Sequence, residues 1–192
     1  MEGSRLELSV VTENKAKGVE ALSILAGLGV KARLVLMGKQ EIQSESLEEI
    51  ALHAARVAYA TLRKPLLVDD SGLFIEALNG FPGPYSSYVY KKIGVRGILK
   101  LMSGEVNRRA CFKTAVATII PPLEKVYTGE TCGEITLEPR GEHGFGFDPI
   151  FIPENSKRTY AEMTLEEKNR ISHRYKAYKK MVEDLKTKYK TI

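Results

Sequence analysis

Cysteine is scarce in this chain: there are two in 192 residues, Cys111 and Cys132, far apart in sequence. Such a pair is poor material for a disulfide framework or a zinc site, so both are expected to be buried or half-buried thiols. No apolar run approaches the roughly 18 residues needed to span a membrane. The opening MEGSRLELSVV also lacks a basic stretch leading into a long apolar segment, so the expectation is a cytoplasmic protein with no membrane contact. Internal repeats and low-complexity linkers are missing too. What is present is globular in character: 43% hydrophobic residues, in a length that fits one domain or one domain with two lobes.

Acids are thin at one end. Residues 168–192 hold nine Lys or Arg against Glu183 and Asp184, a local balance of +7 within a net charge of +5, which leaves the remainder at −2. The basic character therefore belongs to the tail. A basic face on a terminal helix is ordinarily solvated surface, although it could also steer a polyanionic ligand.

Hydrophobic patterning predicts a strand over Leu6–Val11, then Asn14 as the N-cap of a helix with Val19, Leu22 and Leu25 on one face, stopped by Gly27 or Gly29. A second strand is expected over Ala32–Leu36. Ser46 and Glu49 form a capping box for a helix reaching about Leu62. Pro65–Val68 reads as a short buried strand whose end carries Asp69-Asp70-Ser71-Gly72. After the turn-rich Asn79–Pro84, a helix is expected to end near Met102. Strands over Ala110–Ile120 and Lys125–Thr131, joined at Pro121-Pro122, and a third over Glu134–Leu137 follow. Thr164 and Glu167 form another capping box, and Tyr175, Tyr178, Val182, Leu185 and Tyr189 keep a helical stripe. This order fits an α/β fold with a mixed sheet.

Four stretches carry possible chemistry. Thr12–Lys17 sits where a strand feeds a helix, and the unpaired N–H groups of a helix start attract anions, with Lys17 adding charge. Its ordinary reading is a surface helix capped by Asn14. Asp69-Asp70 follows a buried strand, and adjacent strand residues point to opposite faces, so one carboxylate serves a site and the other needs structural partners. A carboxylate there suits Mg²⁺, although Asp-Ser-Gly is also an ordinary turn. Glu41, an acid between a strand and a capped helix, reads by itself as a solvated loop residue. Lys168 to Arg174 would lie about 120° apart around one continuous helix. A break with Ser172 as N-cap would instead let His173 and Arg174 turn back toward Lys168. A cation in a first turn opposes the helix dipole and asks for an acceptor, a small argument for a ligand.

The glycine-phenylalanine run GEHGFGFDPIF, Gly141 to Phe151, is open to three readings: a phosphate cradle, a strained turn or a ring-stacking pocket.

Taken in series, Thr12-x-Asn14-x-x-Lys17, Asp69-Asp70-Ser71-Gly72-Leu73, Ala77 to Ser86, Gly144 to Phe151, and Ala161-Glu-Met163 before Lys168 to Arg174 closely resemble the inosine triphosphate pyrophosphatase family. The likeness runs from about Val10 to Ala177. It implies an elongated α/β fold with a long mixed sheet, two lobes around a nucleotide cleft, and commonly a homodimer. The implied reaction hydrolyses ITP, dITP and XTP between the α and β phosphates, removing deaminated purines from the nucleotide pool. By the same resemblance Thr12, Glu13, Asn14, Lys15, Ala16 and Lys17 would hold the phosphates. Glu41 and Asp70 would bind Mg²⁺, Asp70 would be the proton acceptor, and Ser71 would contact substrate. Phe145, Gly146, Phe147, Asp148, Lys168, His173 and Arg174 would form the base pocket, with Phe145 stacking on the purine and Phe147 and Phe151 anchoring the loop in the core. The small-molecule nucleotide is the expected partner, without nucleic acid or membrane.

Two positions depart from the family pattern. Glu13 stands where glycine is usual, and its side chain is expected to face solvent, because a carboxylate turned toward phosphates would repel them. Phe147 replaces the commoner tyrosine. Competing readings are a pyrophosphatase for modified pyrimidine nucleotides, a nucleic-acid binder working through the basic tail, and a nucleotide sensor without catalysis.

Overall fold

The computed structural model of the chain describes residues 7–38 and 42–189. Strand β1 (Leu8–Thr12) is buried along its whole length. Asn14 opens helix α1 (Lys15–Gly27), its side chain accepting from the Lys17 N–H at 3.2 Å. Strand β2 (Ala32–Leu36) runs parallel to β1, so the first three elements form a βαβ unit. The expected inward stripe of α1 is only partly right. Val19 is exposed, and the buried side is formed by Gly18, Glu20, Ala21, Ile24 and Leu25.

Helix α2 (Leu47–Leu62) begins at Ser46, which accepts from the Glu49 N–H at 3.2 Å. Only this half of the expected capping box forms, because the Glu49 carboxylate accepts from the Ser44 hydroxyl at 2.7 Å.

Strand β3 (Leu66–Ile75) is ten residues long, so Asp69–Gly72 lies inside it, where the sequence pattern places a strand end. The strand continues because a second partner takes it over. Leu66 and Leu67 pair with β1, and Leu73 and Phe74 pair antiparallel with β4 (Pro82–Gly83). Ser86 fastens that second pairing, accepting from the Leu73 N–H at 2.8 Å and donating to the Gly83 carbonyl at 2.7 Å. Gly72 is required by close approach: a Cβ there would sit 2.2 Å from the Gly83 carbonyl oxygen. Helix α3 (Ser86–Leu101) follows, kinked at Gly94.

Strands β5 (Arg109–Ile120) and β6 (Leu123–Ile135) flank the Pro121-Pro122 turn. β6 is one strand where two were expected. The glycine that looks like a break, Gly133, accommodates the backbone of an unforeseen strand, β7 (Phe151–Pro153), which pairs antiparallel with β6. A Cβ on Gly133 would lie 2.0 Å from the Ile152 carbonyl oxygen.

The expectation of two thiols is corrected. Cys111 and Cys132 form a disulfide, with Cα atoms 4.0 Å apart. Counting outward from the two-residue turn places Cys111 directly opposite Cys132, and Lys113 opposite Glu130, whose charges meet at 3.0 Å. Distance along the chain is thus no measure of separation within a hairpin.

Among the described residues seven strands form one sheet in the order β2-β1-β3-β5-β6-β7, with β4 on β3. Parallel and antiparallel pairs coexist and helices flank the strands, so this is the expected mixed α/β sheet. Helix α4 (Leu165–Ile171) starts on a complete capping box of Thr164 and Glu167. It breaks at Ser172, which is extended, before helix α5 (His173–Lys188).

The chain divides into two compact units. The first is Met1–Asp70, Thr114–Gly129 and Arg174–Ile192; the second is Ser71–Lys113 and Glu130–His173. Each has its own apolar core. Leu8, Leu25, Leu67, Val116 and the α5 residues Tyr178, Met181 and Leu185 belong to the first core. Leu73, Ile98, Phe112, Phe147, Phe151 and Tyr160 belong to the second. The α5 stripe packs as its periodicity predicts. No helix among the described residues is long and apolar enough to cross a membrane.

Candidate functional site

In the first unit, the β1–α1 junction presents the start of a helix beside a buried acid. Thr12 is buried, and its hydroxyl accepts from the Asn14 N–H at 3.1 Å, shaping the turn into α1. Lys17, in the first turn, places its ammonium 3.9 Å from Asp70. Both side chains are largely covered, so their attraction is weakly screened by water. Glu13, Lys15 and Ala16 are exposed, and for Glu13 this meets the expectation of a solvent-facing side chain.

The neighbouring acid is used differently. Asp69 accepts from Arg174 Nε at 2.6 Å, while Arg174 Nη1 lies 3.0 Å from Glu20. All three groups are buried, Arg174 to 1% exposure. Burial would lower the guanidinium's pKa, but Glu20 and Asp69 together raise it, so this cation is permanently charged. Tyr178 belongs to the same cluster, its hydroxyl pushed well above the usual phenol range first by burial and then by Asp69. The alternation expected of Asp69 and Asp70 is therefore met: the first engages Arg174 and the second faces Lys17.

The break at Ser172 also appears as expected, yet the acceptors that offset Arg174's place in a first turn are the chain's own carboxylates. The small argument for a ligand at this point falls away. Glu20 escaped the sequence reading because it sits on a helix face disguised by Gly18 and Ala21. A glutamate four residues before Ile24, and so on the same helix face, is the one signal that could have revealed it.

The second unit holds the glycine-phenylalanine loop. Gly141, Gly144 and Gly146 all have positive φ, at 83°, 76° and 64°. Gly144 has a further reason to be glycine: a Cβ there would sit 2.2 Å from Asp148 Oδ2. That oxygen accepts from the Phe145 N–H at 2.9 Å and from Lys168 Nζ at 2.7 Å. Lys168 and Asp148 are both buried. The Lys168 ammonium also lies 4.8 Å from the Phe145 ring centroid and 5.3 Å from that of Tyr160. Cation, carboxylate and aromatic faces thus fix one another, with Phe145 left partly exposed and Gly146 open above.

Phe147 and Phe151 are buried in the core, as expected of anchors. His173 is 3% exposed and stacks on Phe112 at 4.8 Å between centroids and 12° between planes. Ser71, next to Asp70 in β3, is half-buried. Glu41 lies outside the described residues.

The basic tail is substantially engaged within the first unit. Lys188 pairs with Asp184 at 3.0 Å and Lys180 donates to the Thr128 carbonyl at 2.8 Å. Lys186 donates to the Leu28 carbonyl at 2.9 Å. These contacts leave less free charge for a polyanion than the sequence count implies.

Among the described residues Asp70 belongs to no preformed cage of three protein ligands. Mg²⁺ is commonly held by one or two carboxylates together with substrate phosphates and waters. The fit holds on Asp70's chemistry, a hard oxygen donor beside a helix start suited to anions.

Comparison with known proteins bears out the resemblance carried by the motifs. Residues 8–184 match the model of the Ham1 family. The dITP/XTP pyrophosphatase of Thermococcus kodakarensis is 50% identical over 185 residues, covering 96% of this chain and 100% of the relative. That of Hyperthermus butylicus is 48% identical over 172 residues, covering 90% of each. Among solved structures, a HAM1 protein from Coxiella burnetii aligns with a TM-score of 0.82 at 33% identity, covering 95% of this chain and 99% of that one.

Proposed function

The chain belongs to the Ham1 family, and on that premise we propose that it is a nucleoside triphosphate pyrophosphatase. Its substrates are ITP, dITP and XTP, which it converts to the monophosphate and pyrophosphate, clearing deaminated purines from the nucleotide pool. The observation that carries this reading is a buried acid, Asp70, set 3.9 Å from Lys17 at the N-terminus of α1. Water attack on a triphosphate needs a carboxylate to take a proton and cations to disperse charge. That pairing supplies one of each.

Thr12 to Lys17 hold the phosphates through the first N–H groups of α1 and the Lys17 ammonium. Asp70 orients and deprotonates the attacking water, and Ser71 contacts substrate. Asp70 and Glu41 would hold Mg²⁺, which when bound neutralises phosphate charge. Phe145, Gly146, Phe147, Asp148, Lys168 and His173 serve the base. Hypoxanthine and xanthine present a carbonyl at C6 where adenine presents an amino group. The Lys168 ammonium is a donor with no acceptor atom of its own, so a C6 carbonyl matches it and an amino group does not. Sites built on such polar matching discriminate by about 10⁴ or more. Arg174, placed among base contacts by family likeness, here holds Asp69 and Glu20 and acts as a positioning residue. The same premise carries a cytoplasmic homodimer.

The test is pyrophosphate release from ITP, XTP, dITP, ATP and GTP with Mg²⁺. Strong turnover of the deaminated purines and little of ATP is expected, and Asp70→Asn should nearly abolish it. Inertness toward every triphosphate sinks the proposal. Turnover surviving in Asp70→Asn would move the proton acceptor elsewhere.

A further inference from the structure

Cys111, Cys132 and Glu130 come together in the second unit, and nothing in the proposed reaction uses them. Cys111 on β5 faces Cys132 on β6, and Glu130 lies two residues before Cys132, on the same side of that strand because side chains alternate. The two sulfurs and a Glu130 oxygen all lie within 4.8 Å of one another. The cysteines are half-buried and Glu130 is exposed, so the group opens to solvent on one side.

We infer that this strand pair is a redox-gated site for a soft or borderline divalent cation of the zinc and cadmium class. In the disulfide the sulfurs are bonded to each other and offer no thiolate. A small dithiol breaks the S–S bond by exchange, leaving two protein thiols and itself becoming a disulfide. A divalent cation then displaces the two thiol protons and binds both thiolates, with the Glu130 carboxylate as third ligand and water completing four-coordination. Thiolate ligands select against Mg²⁺, which keeps this site chemically separate from Asp70. Lys113, 3.0 Å from Glu130, holds that carboxylate on the shared face. Its ammonium also lies 5.1 Å from the Phe74 ring centroid, a second resting place when the carboxylate turns to a metal.

The inference stands independently of the nucleotide reaction and is tested without it. The full chain is reduced with a trialkylphosphine, which takes up the oxygen of one water as the disulfide becomes two thiols, and is then titrated with Cd²⁺. Expected is a thiolate-to-metal charge-transfer absorption that saturates at one equivalent, is absent from the oxidised chain, and persists in excess Mg²⁺. Cys111→Ser should lose this absorption. Glu130→Gln keeps both cysteines and should retain the band while binding Cd²⁺ several-fold more weakly. No band in the reduced chain, or a band displaced by Mg²⁺, overturns the site. Equal Cd²⁺ affinity in Glu130→Gln removes the carboxylate and with it the three-ligand assignment.

Discussion

Each unit buries a cation, and the two are held in different ways. Arg174 in the first unit lies between two carboxylates, Asp69 and Glu20. Lys168 in the second lies against the carboxylate of Asp148 and the rings of Phe145 and Tyr160. The planar guanidinium can serve two acceptors at once, which suits a fixed strut. An ammonium is a compact point charge, and an aromatic face can hold it beside a single carboxylate. The difference is between a cation locked by two acids and one held against a half-exposed ring.

The sharpest way to break this contrast is Arg174→Ala. It would strand two buried carboxylates, and losing one partner of a buried pair costs about 3–5 kcal/mol. A large fall in the urea midpoint is expected, with partial recovery in Arg174→Lys, whose point charge cannot serve both acids. A midpoint like that of the parent, with only KM raised, would make Arg174 a ligand group and erase the distinction. Phe145→Ala probes the other side. It removes a half-exposed ring worth about 1–3 kcal/mol in base stacking, so the KM for ITP should rise by roughly tenfold or more, with a smaller change in kcat and little change in midpoint. A loss confined to kcat would show that the ring orders the loop instead of meeting the base.

The smallest expected effect concerns the helix that presents Lys168. Glu167 caps α4, and Arg158 first, then the Thr164 N–H, hold its carboxyl at about 2, below the usual 4.5. A depressed acid stabilises the fold above its unfolded pKa and loses that contribution as pH falls through the folded one. The parent chain should therefore exceed Glu167→Gln in urea midpoint near neutrality, and the gap should close between pH 4.5 and about 2. A gap that persists at the acid end would deny the carboxylate its capping role.

Much of this was legible in the sequence because local rules were enough. Asn14 and Thr164 cap helices by side-chain chemistry confined to a few residues, and Ser172 breaks α4 from α5 where the charge spacing asked for it. Asp69 and Asp70 diverge because strands alternate. The misses share a different cause, contacts set by other strands. Gly133 reads as a break until β7 is known to lie against it, and β3 looks short until β4 extends it. Cys111 and Cys132 look unrelated until the Pro121-Pro122 turn fixes their register. Glu20 stayed hidden because its partner, Arg174, is 154 residues away and only the fold pairs them.

The adjacency of Asp69 and Asp70 gives β3 a mode of failure of its own. Side chains along a strand repeat every two residues, so a slip of one position exchanges the faces of its whole pattern. Such a slip would turn Asp70 toward Arg174 and Asp69 toward Lys17. The interlock at Gly72, where nothing larger than hydrogen clears the Gly83 carbonyl, is then a ratchet stop that keeps two chemically identical side chains from trading employment.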